Sequence, residues 1–174
     1  AWCTTYFVIF SLISILLCLA SFWSLYLYSN MLYIWIFYIS FGMALFAMGY
    51  VMAAFFDNAK TASICGAIIY LLSFFVSFAV DDEAIVTSRK LWASLIPTVA
   101  LSLTGAVISE LESGQVGVNH NSFNIIVKNF SYLYGVLMLL VDFVVFMLLG
   151  LYLNQVIPSN NGISRPWTFI FHLS

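Results

Sequence analysis

Long apolar runs alternate with short polar segments along the chain, and this pattern predicts membrane-spanning helices. The first charged residue is Asp57, and the uncharged stretch before it is about twice the ~20 residues that cross a bilayer as a helix. The adjacent polar residues Ser29 and Asn30 divide this stretch. The pattern therefore predicts one span at about residues 2–28 and a second at about residues 31–56.

Two further spans follow from the same pattern. A polar turn at residues 57–60 precedes an apolar run of spanning length at residues 61–80, and three consecutive acidic residues end that run. The final span is predicted at about residues 131–156, after which a polar segment with Pro158 turns the chain out of the membrane.

The segment between the third and last spans is more polar. Residues 91–109 have nearly a spanning length, but Pro97, Gly105 and several Ser and Thr residues weaken a lipid-exposed helix. We expect a re-entrant or interfacial helical hairpin here and a water-exposed loop at residues 110–129. The predicted fold class is thus all-α, a polytopic membrane helical bundle of four spans plus this hairpin.

Composition supports a membrane setting. The 174 residues are 64% hydrophobic and 7% charged, with a mean hydropathy of +1.07, which excludes an ordinary soluble domain. The net charge of −2 provides no basic surface for nucleic acid, so membrane lipids are the expected surroundings of an integral, multi-pass protein. The few Lys and Arg residues divide almost evenly between the two sides, so they predict no orientation.

Asp142 is the one ionisable residue deep inside a predicted span. A carboxylate at that depth costs about 2.5 to 3.5 kcal/mol on insertion scales, so its side chain should face protein or water. Gly135 lies seven residues earlier, on nearly the same helical face. We interpret Asp142 as the donor or acceptor of an interhelical hydrogen bond, with an intramembrane proton or ion site as the alternative.

Small residues at helical spacing predict surfaces where helices pack closely. Gly42 and Gly49 lie on the second span, Gly66 on the third and Gly135 on the last. Ser73 and Ser77, four residues apart on the third span, are candidates for interhelical hydrogen bonds or for a polar path. Asn129 begins a weak glycosylation sequon, Asn129-Phe130-Ser131.

No pattern for bond chemistry is found. The three cysteines are isolated on apolar helices, and the two histidines lie far apart, so neither set predicts a metal site. The segment Leu111-Glu112-Ser113-Gly114-Gln115 is similar to a nucleotide-binding signature, but the sequence has no phosphate loop and we discard it. We therefore expect no catalytic, cofactor-binding or metal residue in this chain.

The last span and the segment after it carry a family resemblance. The run from Tyr152 to Pro158, followed by Gly162-Ile163-Ser164-Arg165-Pro166-Trp167, resembles the final transmembrane helix and exit segment of the A subfamily of ABC transporters. Earlier segments agree in order: residues 62–70 resemble the opening of the family's fifth helix, Ser94-Leu95-Ile96-Pro97 its re-entrant segment, and Gly117-Val118-Asn119 the loop before its sixth helix. Ser159, Asn161, Ser164 and His120 depart from the family pattern, which makes this a divergent member.

The resemblance implies a half domain of the type V ABC exporter kind and a part in ATP-driven export or flipping of lipids between leaflets. ATP and Mg²⁺ would bind to nucleotide-binding domains outside this chain, and a second transmembrane half would complete the transporter. Residues 1–157 would then be part of a transmembrane domain. Residues 158–174 would be an exit segment, in which Pro158, Arg165, Pro166 and Trp167 couple the last helix to the ATPase.

Two other classes stay open from the residues alone. One is a non-enzymatic structural subunit of a multi-protein membrane complex, and the other is a small carrier or channel that uses Asp142. Because both ends of the sequence are abrupt, we expect the chain to be part of a longer protein, and enzymatic activity would then require that longer protein.

Overall fold

The described part of the chain folds into a bundle of six helices with one very short pair of strands. The computed structural model describes residues 2–22, 25–56 and 58–157. The helices are α1 (Trp2–Phe22), α2 (Met31–Phe55), α3 (Ala59–Val80), α4 (Thr87–Ala93), α5 (Pro97–Ser113) and α6 (Tyr132–Val156), and the strands are β1 (Ile126–Val127) and β2 (Phe130–Ser131). The predicted fold class, an all-α membrane helical bundle, is confirmed.

Three of the described helices, α2, α3 and α6, are long and apolar enough to cross a bilayer. The apolar part of α1, Val8–Phe22, is shorter. Helix α1 ends at Phe22, earlier than the predicted end at residue 28, and residues 25–29 form a loop in which the backbone N–H of Tyr28 is bonded to a side chain of α5.

Local sequence signals set the helix starts. Asn30 and Asn58 cap α2 and α3, because each side-chain oxygen accepts a hydrogen bond from the backbone N–H two residues later. Ser131 caps α6 in a similar way by accepting from Tyr134 N–H. Pro97 lies in the first turn of α5, where its missing N–H costs no helical hydrogen bond.

Helices α2 and α6 pack in parallel and form the centre of the bundle. Near their starts, Tyr132 Oη donates to Tyr33 O at 2.6 Å, and near their ends Asn154 Nδ2 donates to Tyr50 Oη at 3.4 Å. The buried core between α2, α5 and α6 consists mainly of aliphatic side chains: Ile34, Ala44, Val99, Ala100, Leu103, Val107, Ile108, Val136 and Leu139.

Helices α4 and α5 form a hairpin. The hairpin begins and ends at the same end of the bundle. Residues 94–96 make the turn between them, with Ser94 N–H bonded to Lys90 O and Ile96 N–H to Ala93 O. Helix α5 has 17 residues and is about 25 Å long, whereas α6 has 25 residues and is about 37 Å long. We call the end of the bundle that holds residues 25–30, 81–86 and 114–131 the loop end.

Residues 110–129 were predicted as an exposed loop, and the structure differs. Helix α5 continues to Ser113, and Gly117, Val118 and Ser122 are buried. Val118 is buried because it pairs with the α1–α2 loop: its carbonyl accepts from Asn30 N–H at 2.9 Å, and its N–H donates to Ser29 Oγ at 2.9 Å. Gly117 has φ +62°, and a Cβ there would overlap the backbone of Tyr28, so this close approach requires glycine.

Candidate functional site

Asp142 lies near the middle of α6 on the face that contacts the bundle interior. Its side chain is 1% exposed, and neither carboxyl oxygen has a hydrogen-bond partner among the residues that the structure describes. The interhelical hydrogen bond that the sequence suggested is therefore not found within the described chain. A buried polar group without a partner is costly, so Asp142 stays a candidate intramembrane polar site.

The four candidate packing glycines fall into two pairs. A Cβ at Gly42 would lie 3.3 Å from the ring of Phe10 on α1, and a Cβ at Gly135 would overlap the side chain of Thr104 on α5. Gly49 and Gly66 differ, because no atom of the described chain lies within 4 Å of the Cβ position at either. Gly42 and Gly135 thus lie at close helix contacts, whereas Gly49 and Gly66 do not.

Gly49 and Gly66 instead line an open apolar groove between α2 and α3. The groove has a volume of about 370 Å³. Its lining consists almost entirely of small and apolar residues: Leu45, Met48, Gly49, Met52, Ala53, Ala62, Ser63, Gly66 and Tyr70. In a bilayer such a surface contacts acyl chains or another helix.

A hydrogen-bond network joins α5 to the α1–α2 loop at the loop end. Glu112 is its centre: Oε1 accepts from Tyr28 N–H at 2.6 Å, and Oε2 accepts from Ser29 Oγ at 2.6 Å. Ser29 Oγ in turn accepts from Val118 N–H. The carboxylate therefore fixes the loop between the first two helices relative to the hairpin.

A second network fixes the start of the hairpin. The Lys90 side chain is 1% exposed, and its Nζ donates to Lys128 O at 2.7 Å. Burial lowers the pKa of the Lys90 ammonium, and the nearby carboxylates of Asp81 and Asp82 oppose that shift. The backbone carbonyl of Lys128 thus accepts a hydrogen bond from the buried Lys90 side chain of α4.

Asn129 belongs to the same network. Lys128 and Asn129 form the tight turn between β1 and β2, with positive φ values of 50° and 61°. The Asn129 Nδ2 donates to Glu83 O at 3.0 Å and to Ile85 O at 3.3 Å. Its amide therefore connects the turn to the α3–α4 loop, and a glycan on this nitrogen would remove at least one of these bonds.

The remaining candidate residues from the sequence do not form a common site among the described residues. Pro158, Arg165, Pro166 and Trp167 lie outside the described residues. Within the described part of the chain, no group of three or more His, Cys, Asp or Glu side chains is placed to hold a metal ion. Of the two third-span serines, Ser73 contacts the hairpin, because Thr98 Oγ1 of α5 donates to its Oγ at 2.8 Å. Ser77 Oγ instead donates to Phe74 O within α3.

Comparison with known proteins identifies the family. The rat protein ATP-binding cassette sub-family A member 2 is 31% identical over 97% of this chain and 7% of its own length. The bovine retinal-specific phospholipid-transporting ATPase ABCA4 is 28% identical over 99% of this chain and 8% of its own length. The mouse glucosylceramide transporter ABCA12 is 26% identical over 90% of this chain.

The chain belongs to the A subfamily of ABC transporters. No family model matches it, and identities of 25–31% make it a divergent member. It spans less than a tenth of the length of these A-subfamily relatives.

The two residues that organise the loop end of this A-subfamily bundle, Lys90 and Glu112, are not among the site residues that the sequence predicts. Lys90 is one of the few basic residues that predict no orientation, and Glu112 belongs to the segment that only resembles a nucleotide-binding signature. A signal for Glu112 exists in the sequence: Gly105, Ser109 and Glu112 recur at helical spacing and so form a small or polar face on α5. Lys90 has no such signal, because its partner is a backbone carbonyl 38 residues away.

Proposed function

We propose that this chain forms part of the transmembrane domain of an ATP-driven transporter that exports lipids or flips them between leaflets. The observation that carries the proposal is similarity over nearly the whole chain to proteins whose names describe phospholipid and glucosylceramide transport. The chain would supply the lipid-contacting helices. ATP and Mg²⁺ would bind to nucleotide-binding domains elsewhere in the protein, and a second transmembrane half would complete the transport path.

The exposed surface of the bundle suits this role. Helix α3 directs large apolar side chains away from the rest of the chain, among them Ile64, Ile68, Leu71, Leu72, Phe75 and Phe78. Beside it lies the apolar groove between α2 and α3. Both surfaces favour acyl chains over water, because burying apolar area contributes about 25 cal/mol per Å².

Transport is tested with the complete protein that contains this chain, reconstituted in liposomes with fluorescent phospholipid or glucosylceramide. Dithionite quenches only the outer-leaflet fluorophores. We expect ATP with Mg²⁺ to change the quenched fraction and a non-hydrolysable ATP analogue to leave it unchanged. Absence of any ATP-dependent movement for both lipids would contradict the proposal and favour a structural subunit.

The exit segment gives a test of coupling. We propose that Arg165 and Trp167 hold the end of the last helix at the interface next to the ATPase. Replacing both with Ala should then reduce the stimulation of ATP hydrolysis by lipid while leaving basal hydrolysis intact. Unchanged stimulation in the double variant would remove this role.

The carrier alternative depends on Asp142. An ATP-driven lipid transporter does not need an intramembrane proton relay, so Asp142→Asn, which is nearly isosteric, should retain ATP-dependent lipid movement. In a carrier that uses the carboxylate, the same substitution abolishes transport. Measuring both lipid movement and proton flux in one vesicle preparation separates the two functions.

A further inference from the structure

A pocket of mixed polarity lies at the loop end, between the α1–α2 loop and α5. Its volume is about 430 Å³. The loop contributes four consecutive residues, and α5 contributes one face: Leu25, Tyr26, Leu27, Tyr28, Gly105, Ser109, Glu112 and Ser113. The pocket is separate from Asp142 and from the groove between α2 and α3.

The α5 face of this pocket is built from residues that leave space. Gly105, Ser109 and Glu112 recur at helical spacing, while Thr104, Ile108 and Leu111 on neighbouring positions are buried in the bundle. Apart from its own helix backbone, no atom of the described residues lies within 4 Å of the Cβ position of Gly105. The absence of a side chain there leaves the pocket open.

Glu112 gives the pocket a fixed negative charge. The bonds from Tyr28 N–H and Ser29 Oγ, both 2.6 Å, hold the carboxylate in place, but both donors are neutral. Among the described residues the ion pair at the loop end joins Lys128 to Glu110, not to Glu112. None of the described residues that line the pocket is Lys or Arg. Its charge is therefore available to a cation from outside the chain.

The rest of the lining favours an organic ammonium group over a small inorganic cation. Tyr26 and Tyr28 provide aromatic rings, and Tyr26 is held through a contact of its hydroxyl with Tyr38 Oη at 3.3 Å. Leu25 and Leu27 add apolar surface. A carboxylate beside aromatic rings and aliphatic groups is the environment in which quaternary and primary ammonium groups of organic ligands bind.

The pocket also lies at a suitable depth. It is formed where α1 and α2 are connected and where α5 ends, so it is at the end of the apolar helices rather than at their middle. In a bilayer that level contains the lipid headgroups. A lipid headgroup with an ammonium group fits the charge, the aromatic lining and the position together.

We propose that this pocket binds the ammonium end of a zwitterionic phospholipid headgroup, choline or ethanolamine, with Glu112 as its counter-ion. The proposal rests on the proposed function for its part in transport, where it would make the chain select zwitterionic over anionic phospholipids. Binding itself requires only the folded protein and can be measured without ATP.

The test uses the complete protein in detergent and native mass spectrometry to compare two short-chain probes with the same acyl chains, a phosphatidylcholine and a phosphatidylglycerol. Glu112→Gln keeps an oxygen for one of the two loop bonds but removes the charge. We expect it to weaken phosphatidylcholine binding about five- to tenfold and to leave phosphatidylglycerol binding unchanged. Glu110→Gln is the matched control, since it removes a carboxylate two residues away and outside the pocket.

A second variant covers the case in which Glu112→Gln does not fold. Gly105→Leu fills the pocket without touching the carboxylate, and it should also weaken phosphatidylcholine binding. Free choline should compete poorly if the occupant is a lipid, and full competition by choline would assign the site to a soluble ammonium compound and overturn the lipid proposal. Equal loss of both phospholipid probes, or equal loss in Glu110→Gln, would also overturn it.

Transport is then measured separately in liposomes. If wild-type protein binds phosphatidylcholine through Glu112 but shows no ATP-dependent lipid movement, the proposed function fails and the binding site stands. If lipid movement depends on ATP but neither Glu112→Gln nor Gly105→Leu changes phosphatidylcholine binding, the site fails and the function stands.

Discussion

Helices α3 and α5 are neighbours in the bundle, but they relate to it in opposite ways. Helix α3 is among the most apolar segments of the chain, and its buried side chains, among those described, are Ser73 and Ser77. Helix α5 contains seven hydroxyl or carboxyl side chains in 17 residues, yet it buries nine residues in the core. The less apolar helix is the more deeply buried one.

This difference shows which solvent surrounds the fold. In water, apolar side chains are driven to the interior, and α3 would be the core helix. In lipid, that driving force is absent between helices, and close packing of small residues and hydrogen bonds between helices decide which helix is inside. Thr98, Thr104 and the hydrogen bonds of Lys90 and Glu112 place the hairpin inside, while α3 directs its Phe and Ile side chains outward.

The largest loss of stability is expected from a substitution at the close contact between α5 and α6. Gly135→Ala places a methyl group where Thr104 Oγ1 lies, so it should separate α5 from α6 and cost about 4 kcal/mol or more. At Gly66 on α3, the Cβ added by Gly66→Ala meets no atom of another described element within 4 Å, so the substitution should cost nothing. The yield of folded complete protein by size-exclusion chromatography distinguishes them, and equal yields would contradict the close packing of α5.

The next test compares two large apolar side chains. Ile108 on α5 is fully buried, so Ile108→Ala should lower the free energy of unfolding by about 3 kcal/mol. Phe75 on α3 is 60% exposed, and lipid can replace most of its contacts, so Phe75→Ala should have little effect. Reversible unfolding in mixed micelles measures both. A greater loss for Phe75→Ala would mean that α3 packs against protein.

A smaller loss of stability is expected from a substitution of Lys90, at the start of the hairpin. Lys90→Ala leaves the carbonyl of Lys128 without its partner and opens a void, so we expect a loss of about 2 kcal/mol. Arg89→Ala, at an exposed neighbouring position, should change stability by less than about 0.5 kcal/mol. Thermal melting of the complete protein in detergent compares the two, and matching melting temperatures would show that the buried bond contributes nothing.

The smallest expected effect concerns the contact between the two helices themselves. Thr98→Val preserves shape but removes the hydroxyl that donates to Ser73, which should cost about 1 kcal/mol. Thr61→Val, at an exposed position on α3, serves as control. Cross-linking between single cysteines on α3 and α5 should slow in Thr98→Val alone. An unchanged rate would show that α3 is held by other contacts.

Short sequence signals predict those features of the fold that depend on interactions between residues close together in the sequence. Apolar runs of spanning length and the breaks at Ser29, Asn30 and Asp57 indicate where long helices lie, because a helix in lipid must be continuous and apolar. Pro97 within a short apolar segment indicated a hairpin, because proline begins helices readily and interrupts them otherwise. These signals are contained within a few residues and need no knowledge of the tertiary fold.

The loop end could not be predicted in the same way. Glu112 bonds residues 83 and 84 positions away, and Val118 pairs with Ser29 and Asn30 across a similar separation. No periodic pattern of the sequence records such pairs, so the sequence alone predicts an exposed loop at residues 110–129. The pocket beside Glu112 was missed for the same reason, since half of its lining comes from each of two distant segments.

The hairpin gives the bundle a different cross-section at its two ends. Because α4 and α5 begin and end at the loop end and α5 is about 25 Å long against about 37 Å for α6, the hairpin occupies roughly the two-thirds of the bundle nearest that end, and among the described residues the remaining third contains only the long helices. The chain therefore displaces more area from one lipid monolayer than from the other. Such a wedge shape favours a bilayer that curves around its wider side, so insertion of this chain should depend on the curvature and lateral pressure of the membrane.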